Sequence, residues 1–193
     1  MKYACIDMEG VLIPEIWPHL AEKTNINELS ATSREIPDYD SLVLGRIKIL
    51  RQNNIKLQDV INMISELEPI DGAVSFLNRL NKSHKVILVS DAFEQTIAPL
   101  WELLERPELK CHKFQCDDDG YIKAPIYSRR KGKVEIIEGL KSKPNVDILS
   151  VGDAFNDLEM LRASTTGYLF RPSIETRNTA IDIPIAMKYE DIL

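Results

Sequence analysis

The sequence predicts an α/β protein with a parallel sheet covered by helices, and a helical segment inserted directly after the first strand. Three observations carry this. Short apolar runs of strand length (Ala4-Cys5-Ile6, Val86-Ile87-Leu88-Val89 and Val146 to Val151) each end in polar residues. Segments with helical spacing separate these runs, which is how parallel strands are connected. Between Pro14 and Pro69 the spacing is only helical, and no strand pattern interrupts it.

In chain order, the first strand ends at Asp7-Met8-Glu9-Gly10, where two carboxylates spaced i, i+2 point to one side before glycine opens a loop. In the insertion, Val43, Leu44, Ile47 and Leu50 form one apolar stripe, and Leu57, Val60, Ile61, Ile64 and Leu67 form a second. From Asp71 the alternation returns. A helix carries Ala73, Val74, Leu77 and Leu80, the next strand runs to Val89, and a helix carries Phe93, Ile97, Leu100 and Leu104. Lys110 to Cys116 and Tyr121 to Ile126 read as extended pieces around a turn at Asp117-Asp118-Asp119-Gly120, whose residues suit such a backbone better than a metal site. Then follow a helix with Val134, Ile137 and Leu140, the strand to Val151, a helix from Leu158 to Ala163, a strand at Tyr168-Leu169-Phe170, and a closing segment at Pro184 to Met187.

Bulk properties exclude several roles. The 193 residues are 44% hydrophobic, enough for one well-buried domain with an insertion. A net charge of -6 and a pI near 5.2 argue against a nucleic-acid or anionic-membrane surface. No apolar stretch approaches the roughly 20 residues of a membrane span, and an acid at position 7 interrupts any signal-peptide core, so a cytoplasmic chain is expected. Cys5, Cys111 and Cys116 make no even disulfide set, and Cys111, His112 and Cys116 fall one ligand short of a structural zinc site.

Strand ends in parallel sheets are open edges where ligands bind. Here they deliver a candidate nucleophile (Asp7), a hydroxyl (Ser90) and an acidic pair (Asp153 and Asp157), with a basic run, Arg129-Arg130-Lys131-Gly132-Lys133, between the second and third. In that order and at those separations the set resembles the four motifs of the haloacid dehalogenase superfamily of phosphotransferases. Glutamate at the second acidic position departs from that superfamily's usual aspartate. It matches the bifunctional phosphoserine phosphatase/homoserine phosphotransferase proteins, which the chain also resembles at Pro14-Glu15-Ile16-Trp17, Ala21-Glu22-Lys23-Thr24, Ile36-Pro37-Asp38-Tyr39-Asp40 and Cys111-His112-Lys113.

The resemblance implies a Rossmann-like core over residues 1–13 and 70–193, with residues 14–69 as a cap that shapes the pocket and excludes water. It implies that Asp7 attacks phosphorus to form an aspartyl phosphate, and that Glu9 protonates the leaving oxygen and then activates the acceptor. Clustered carboxylates beside a phosphate call for a hard cation, so Mg2+ is expected on Asp7 and Asp153, with Asp157 as a ligand or as its orienting partner. The family adds the backbone carbonyl of Glu9 as a ligand. Ser90 would contact a phosphoryl oxygen. Of the two lysines, the match favours Lys131 as catalytic and keeps Lys133 in reserve as a substrate contact. Phosphoserine is a zwitterion, and the family match assigns Glu15 to its ammonium and Arg46 to its carboxylate, with Asp91 and Asn156 as further contacts.

The expected reaction is therefore magnesium-dependent hydrolysis of O-phosphoserine, serving serine and amino-acid biosynthesis, with homoserine as a second acceptor. The alternatives are another small phosphomonoester, such as a sugar phosphate or nucleotide, and a receiver-like signalling module that only holds a phospho-aspartate. Whether the chain pairs as a homodimer is left open.

Overall fold

The computed structural model describes residues 1–32 and 35–193. The chain begins with β1 (Lys2–Ile6), followed by the helices α1 (Ile16–Thr24), α2 (Tyr39–Gln52) and α3 (Leu57–Ile64). There follow α4 (Ala73–Leu80), β2 (Lys85–Phe93), α5 (Glu94–Leu103), β3 (Glu108–Cys116), β4 (Ile122–Ile126) and α6 (Val134–Lys141). The last part holds β5 (Asp147–Gly152), α7 (Leu158–Ala163), β6 (Thr166–Phe170), α8 (Ile174–Thr179) and β7 (Ile185–Ala186).

Seven strands form one sheet in the order β4-β3-β2-β1-β5-β6-β7. All neighbours are parallel except β3 and β4, the pair joined by the predicted turn. At that turn Gly120 has φ +86 and its N–H donates to the Asp117 carbonyl, which explains the Asp-Gly sequence as backbone chemistry.

The central strands are apolar on both faces because helices cover both. Along β1, Ala4 and Ile6 pack into one core with the insertion, α4 and α5, whereas Tyr3 and Cys5 pack into the other with α6 and α7. Among the described residues, the insertion adds no core of its own. Trp17, Leu20, Val43, Ile47, Leu50, Val60 and Ile64 share a cluster with Ile6, Leu88 and Phe93.

Two expectations change in detail. Phe93, read with the helix after a strand ending at Val89, is the last residue of β2, and α5 starts at Glu94. The second insertion stripe extends past its helix, since α3 stops at Ile64 and leaves Leu67 in the following turn. Helix α1 had no marked stripe. It is only nine residues long, and it buries Ile16, Trp17, Leu20 and Ala21, too short a repeat to read periodicity from.

Candidate active site

The three polar strand ends meet because their strands are neighbours. Ile6 pairs with Leu88 on one side and Val151 on the other, so Asp7, Ser90 and Asp153 emerge at one edge of the sheet. The Asp7 N–H still donates to the Val151 carbonyl at 2.9 Å, which fixes its backbone at the end of the ladder. The loop beyond is tight. Gly10 has φ +76, and a Cβ there would run into the Asp153 carboxylate, so only glycine permits this approach.

Asp7 is 5% exposed, and its Oδ1 accepts from the Met8 N–H at 2.7 Å and lies 2.7 Å from the Lys133 Nζ. Lys133 is 2% exposed and also donates to Asp157 Oδ1 at 2.6 Å. The other oxygen of Asp157 accepts from the N–H groups of Asp153 and Ala154 at 3.0 and 3.1 Å. One carboxylate oxygen from each of Asp7, Asp153 and Asp157 lies within 4.8 Å of the others.

A single lysine cannot neutralise this group. Burial and then the charge of Asp157 push the Asp7 carboxyl well above the usual carboxylate range, against the pull of Lys133. Asp153 is pushed up to about 7, first by burial, then by Asp157 and Glu15. Against the lowering effect of burial, Asp157, Asp7 and Asp91 hold the Lys133 ammonium well above its ordinary value. The donors are hard oxygens with an unbalanced negative charge, a set that fits a divalent cation.

Glu9 sits beside this group. Its Oε1 accepts from the Ile16 N–H at 2.9 Å, at the start of α1, and its carboxyl is pushed up to about 7 by burial and by Glu15, against that bond and Arg46. The edge thus places a buried carboxylate, a buried cation, a second carboxyl held near neutral and a donor set for metal within one cleft. That arrangement suits phosphoryl transfer.

Known proteins bear this out at the level of the family. A family model described as haloacid dehalogenase-like hydrolase matches residues 1–165. The chain belongs to this family. Its relatives include phosphoserine phosphatase ThrH of Pseudomonas aeruginosa, 37% identical over 100% of this chain and 93% of the relative. Phosphoserine phosphatase of Pseudomonas syringae pv. tomato is 39% identical over 88% of this chain and 71% of the relative. A substrate-bound phosphoserine phosphatase structure superposes with a TM-score of 0.78 at 19% identity, covering 100% of this chain and 97% of that one. At that identity the last of these speaks for the fold alone.

Within the haloacid dehalogenase-like frame, the lysine at the carboxylates is Lys133, not Lys131. Lys131 is exposed, and its backbone N–H is held by Glu135. Gly132, at φ +82, turns the chain between them so that Lys133 enters the cleft at the start of α6. The structure thus brings the lysine kept in reserve, Lys133, to the carboxylates, while the favoured Lys131 stays at the surface.

The remaining expected contacts divide by position. Ser90 is buried, and its Oγ accepts from the Ala92 N–H at 3.1 Å, which leaves the hydroxyl proton free to donate. Asp91 Oδ2 accepts from the Asn156 amide at 2.8 Å, so those two residues first bind each other. Arg46 stacks over Trp17, with its guanidinium carbon 4.3 Å from the ring centroid, and donates to the Ala31 carbonyl at 2.7 Å. Burial lowers the Arg46 guanidinium to about 10, while Glu9, Tyr39 and Glu15 support its charge. Glu15 is exposed at the N-cap of α1. Tyr39 was visible only as one member of the matched run Ile36 to Asp40, with no role attached; its hydroxyl donates to the Asp91 carbonyl at 2.5 Å and ties the insertion to the site. Arg129 was visible only as one member of the basic run.

Proposed function

We propose that this chain is a magnesium-dependent phosphotransferase that hydrolyses O-phospho-L-serine through an aspartyl phosphate on Asp7. The observation that carries the reading is the buried Lys133 bridging Asp7 and Asp157 beside Asp153, with Glu9 next to the nucleophile. The names of the relatives supply the substrate.

In this reading an oxygen of Asp7 attacks phosphorus as the bond from phosphorus to the serine oxygen breaks. Glu9 gives its proton to that oxygen, a role suited to a carboxyl held near neutral. The deprotonated Glu9 then takes a proton from water, whose oxygen attacks the phosphoaspartate. Phosphate leaves, and Asp7 returns as a carboxylate. Lys133 and Ser90 meet the phosphoryl oxygens. Asp7, Asp153 and the Glu9 carbonyl would hold Mg2+. Asp157, with both oxygens engaged by Lys133 and backbone N–H groups, fixes that set from behind. The ion supplies charge neutralisation for the phosphoryl group.

Residues 14–69 act in this reading as the cap, with Arg46 on the substrate carboxylate and Glu15 on its ammonium. Asp91 and Asn156 line the same cleft. Homoserine as a second acceptor rests on Glu9, one methylene longer than aspartate, which moves the base relative to the incoming hydroxyl. The reaction would belong to serine biosynthesis in the cytoplasm. Among the described residues, no helix is long and apolar enough to cross a membrane.

The test is phosphate release from phosphoserine, sugar phosphates and nucleotides, with magnesium and after chelation, repeated with homoserine to detect O-phosphohomoserine. Phosphoserine is expected to lead the panel only when magnesium is present. A sugar phosphate turned over faster would change the substrate. Turnover unchanged after chelation would remove the metal. A quenched reaction of the wild type is expected to carry phosphate on Asp7, and Asp7→Asn is expected to be folded and inactive. A long-lived phosphoprotein without turnover would favour the receiver-like alternative.

A further inference from the structure

The strand that presents Ser90 leaves the ladder just where Ser90 lies. Val89 of β2 pairs with Lys110 of β3, but the next registered pair is Phe93 with His112. Four steps along β2 thus match two along β3, and Ser90, Asp91 and Ala92 bulge out of the sheet. A bulge of this kind loses the backbone partners that a strand supplies, and buried carbonyls need replacements.

Arg129 supplies them. It is 6% exposed, and its Nη2 donates to the Ser90 carbonyl at 2.6 Å and to the Asp91 carboxylate. Its Nη1 donates to the Lys110 carbonyl at 3.3 Å, the last registered position on β3 before the slip. One guanidinium therefore spans both strands at the break. The Asp91 carboxylate that it grips holds the Asn156 amide with its other oxygen. With Ala92 N–H donating to Ser90 Oγ, the direction of the serine hydroxyl depends on the shape of this bulge.

We propose that Arg129 is a positioning residue that holds the Ser90–Ala92 bulge in the conformation that aims the Ser90 hydroxyl at the phosphoryl group. This rests on the reading of Ser90 as a phosphoryl contact. A planar fork is required because lysine offers one compact charge that cannot span two carbonyls and a carboxylate.

The experiment is a double-mutant cycle of Arg129→Lys with Ser90→Ala, with phosphoserine turnover and thermal unfolding measured for all four proteins. The same four magnesium-loaded proteins are titrated with inorganic phosphate by calorimetry, so coupling is read even where turnover is lost. Arg129→Gln is placed in the same cycle as a second variant, in case the lysine variant does not fold. Arg129→Lys is expected to lower kcat by on the order of 10 to 10² in the wild type, as a displaced catalytic group does. In the Ser90→Ala background the same change is expected to cost almost nothing in kcat or phosphate affinity. Equal losses in both backgrounds would show a purely structural arginine and overturn the proposal while leaving the role of Ser90 intact. Wild-type turnover in Ser90→Ala alone would remove Ser90 from the phosphoryl site, and the proposal with it.

Discussion

The Lys133 ammonium lies 2.7 Å from Oδ1 of Asp7, with the side chains 1% and 7% exposed. A charge pair this deep is strongly interdependent. Removing one partner strands the other in a poor solvent, at a cost of about 3 to 5 kcal/mol. Lys133→Met is therefore expected to abolish turnover and to lower stability by about that amount. Lys131→Met, at an exposed position, should change stability by less than about 0.5 kcal/mol and keep its activity. Assays and urea unfolding of both proteins check this, and similar losses in the two would return the role to Lys131.

Glu9 is held by the Ile16 N–H and kept near neutral by burial. Glu9→Gln preserves the bond but cannot exchange a proton. A fall in kcat on the order of 10² to 10⁴ is expected with phosphoserine, and little change in KM. With p-nitrophenyl phosphate, whose leaving group needs no proton, the loss in the first-turnover burst should shrink, while hydrolysis of the phosphoaspartate, with Glu9 as base, slows equally for both. An equal loss of the burst on both substrates would remove Glu9 from the protonation of the leaving group.

Arg46 joins Trp17 and Ala31 to the acidic side of the cleft. A charge-assisted hydrogen bond contributes about 1.5 to 3 kcal/mol, so Arg46→Ala should raise KM for phosphoserine about 10- to 100-fold. Phosphoethanolamine, which lacks the carboxylate, serves as the comparison and should show a much smaller rise. The same rise for both compounds would place Arg46 outside the carboxylate subsite.

His112 gives a pH prediction away from the donor set. The Ser128 N–H donates to its Nδ1 at 3.1 Å, so the ring is neutral, with Nε2 3.8 Å from Asp91. The rings of Tyr39, Phe93 and Tyr127 surround it. Burial, followed by the charge of Arg129, lowers His112 from 6.5 to about 4, against Asp91. The folded protein then binds fewer protons than the unfolded chain between those values, so stability falls as pH drops through that window. His112→Gln should flatten this part of the curve of unfolding midpoint against pH. Parallel curves for variant and wild type would show that His112 does not titrate as proposed.

Local chemistry made much of this legible. An apolar run ending in Asp7-Met8-Glu9-Gly10 can be read without knowing its neighbours, and so can the ends at Ser90 and Asp153. The choice between Lys131 and Lys133 could not be read this way, because both lie in one basic run and differ only in which side of Gly132 they fall. Arg129 was hidden for a related reason. Its contacts gather at the register slip between β2 and β3, a property of two strands together.

The sequence by itself determined the alternation of strands and helices, the helical insertion and the residue types at each strand end, since these follow from periodicity and side-chain chemistry along the chain. Only the tertiary structure decided that β2, β1 and β5 lie side by side, that Lys133 reaches Asp7, and that Arg129 and Tyr39 hold the carbonyls of Ser90 and Asp91. These contacts join residues far apart in the chain, and their geometry is set by strand pairing and packing, to which no local pattern has access.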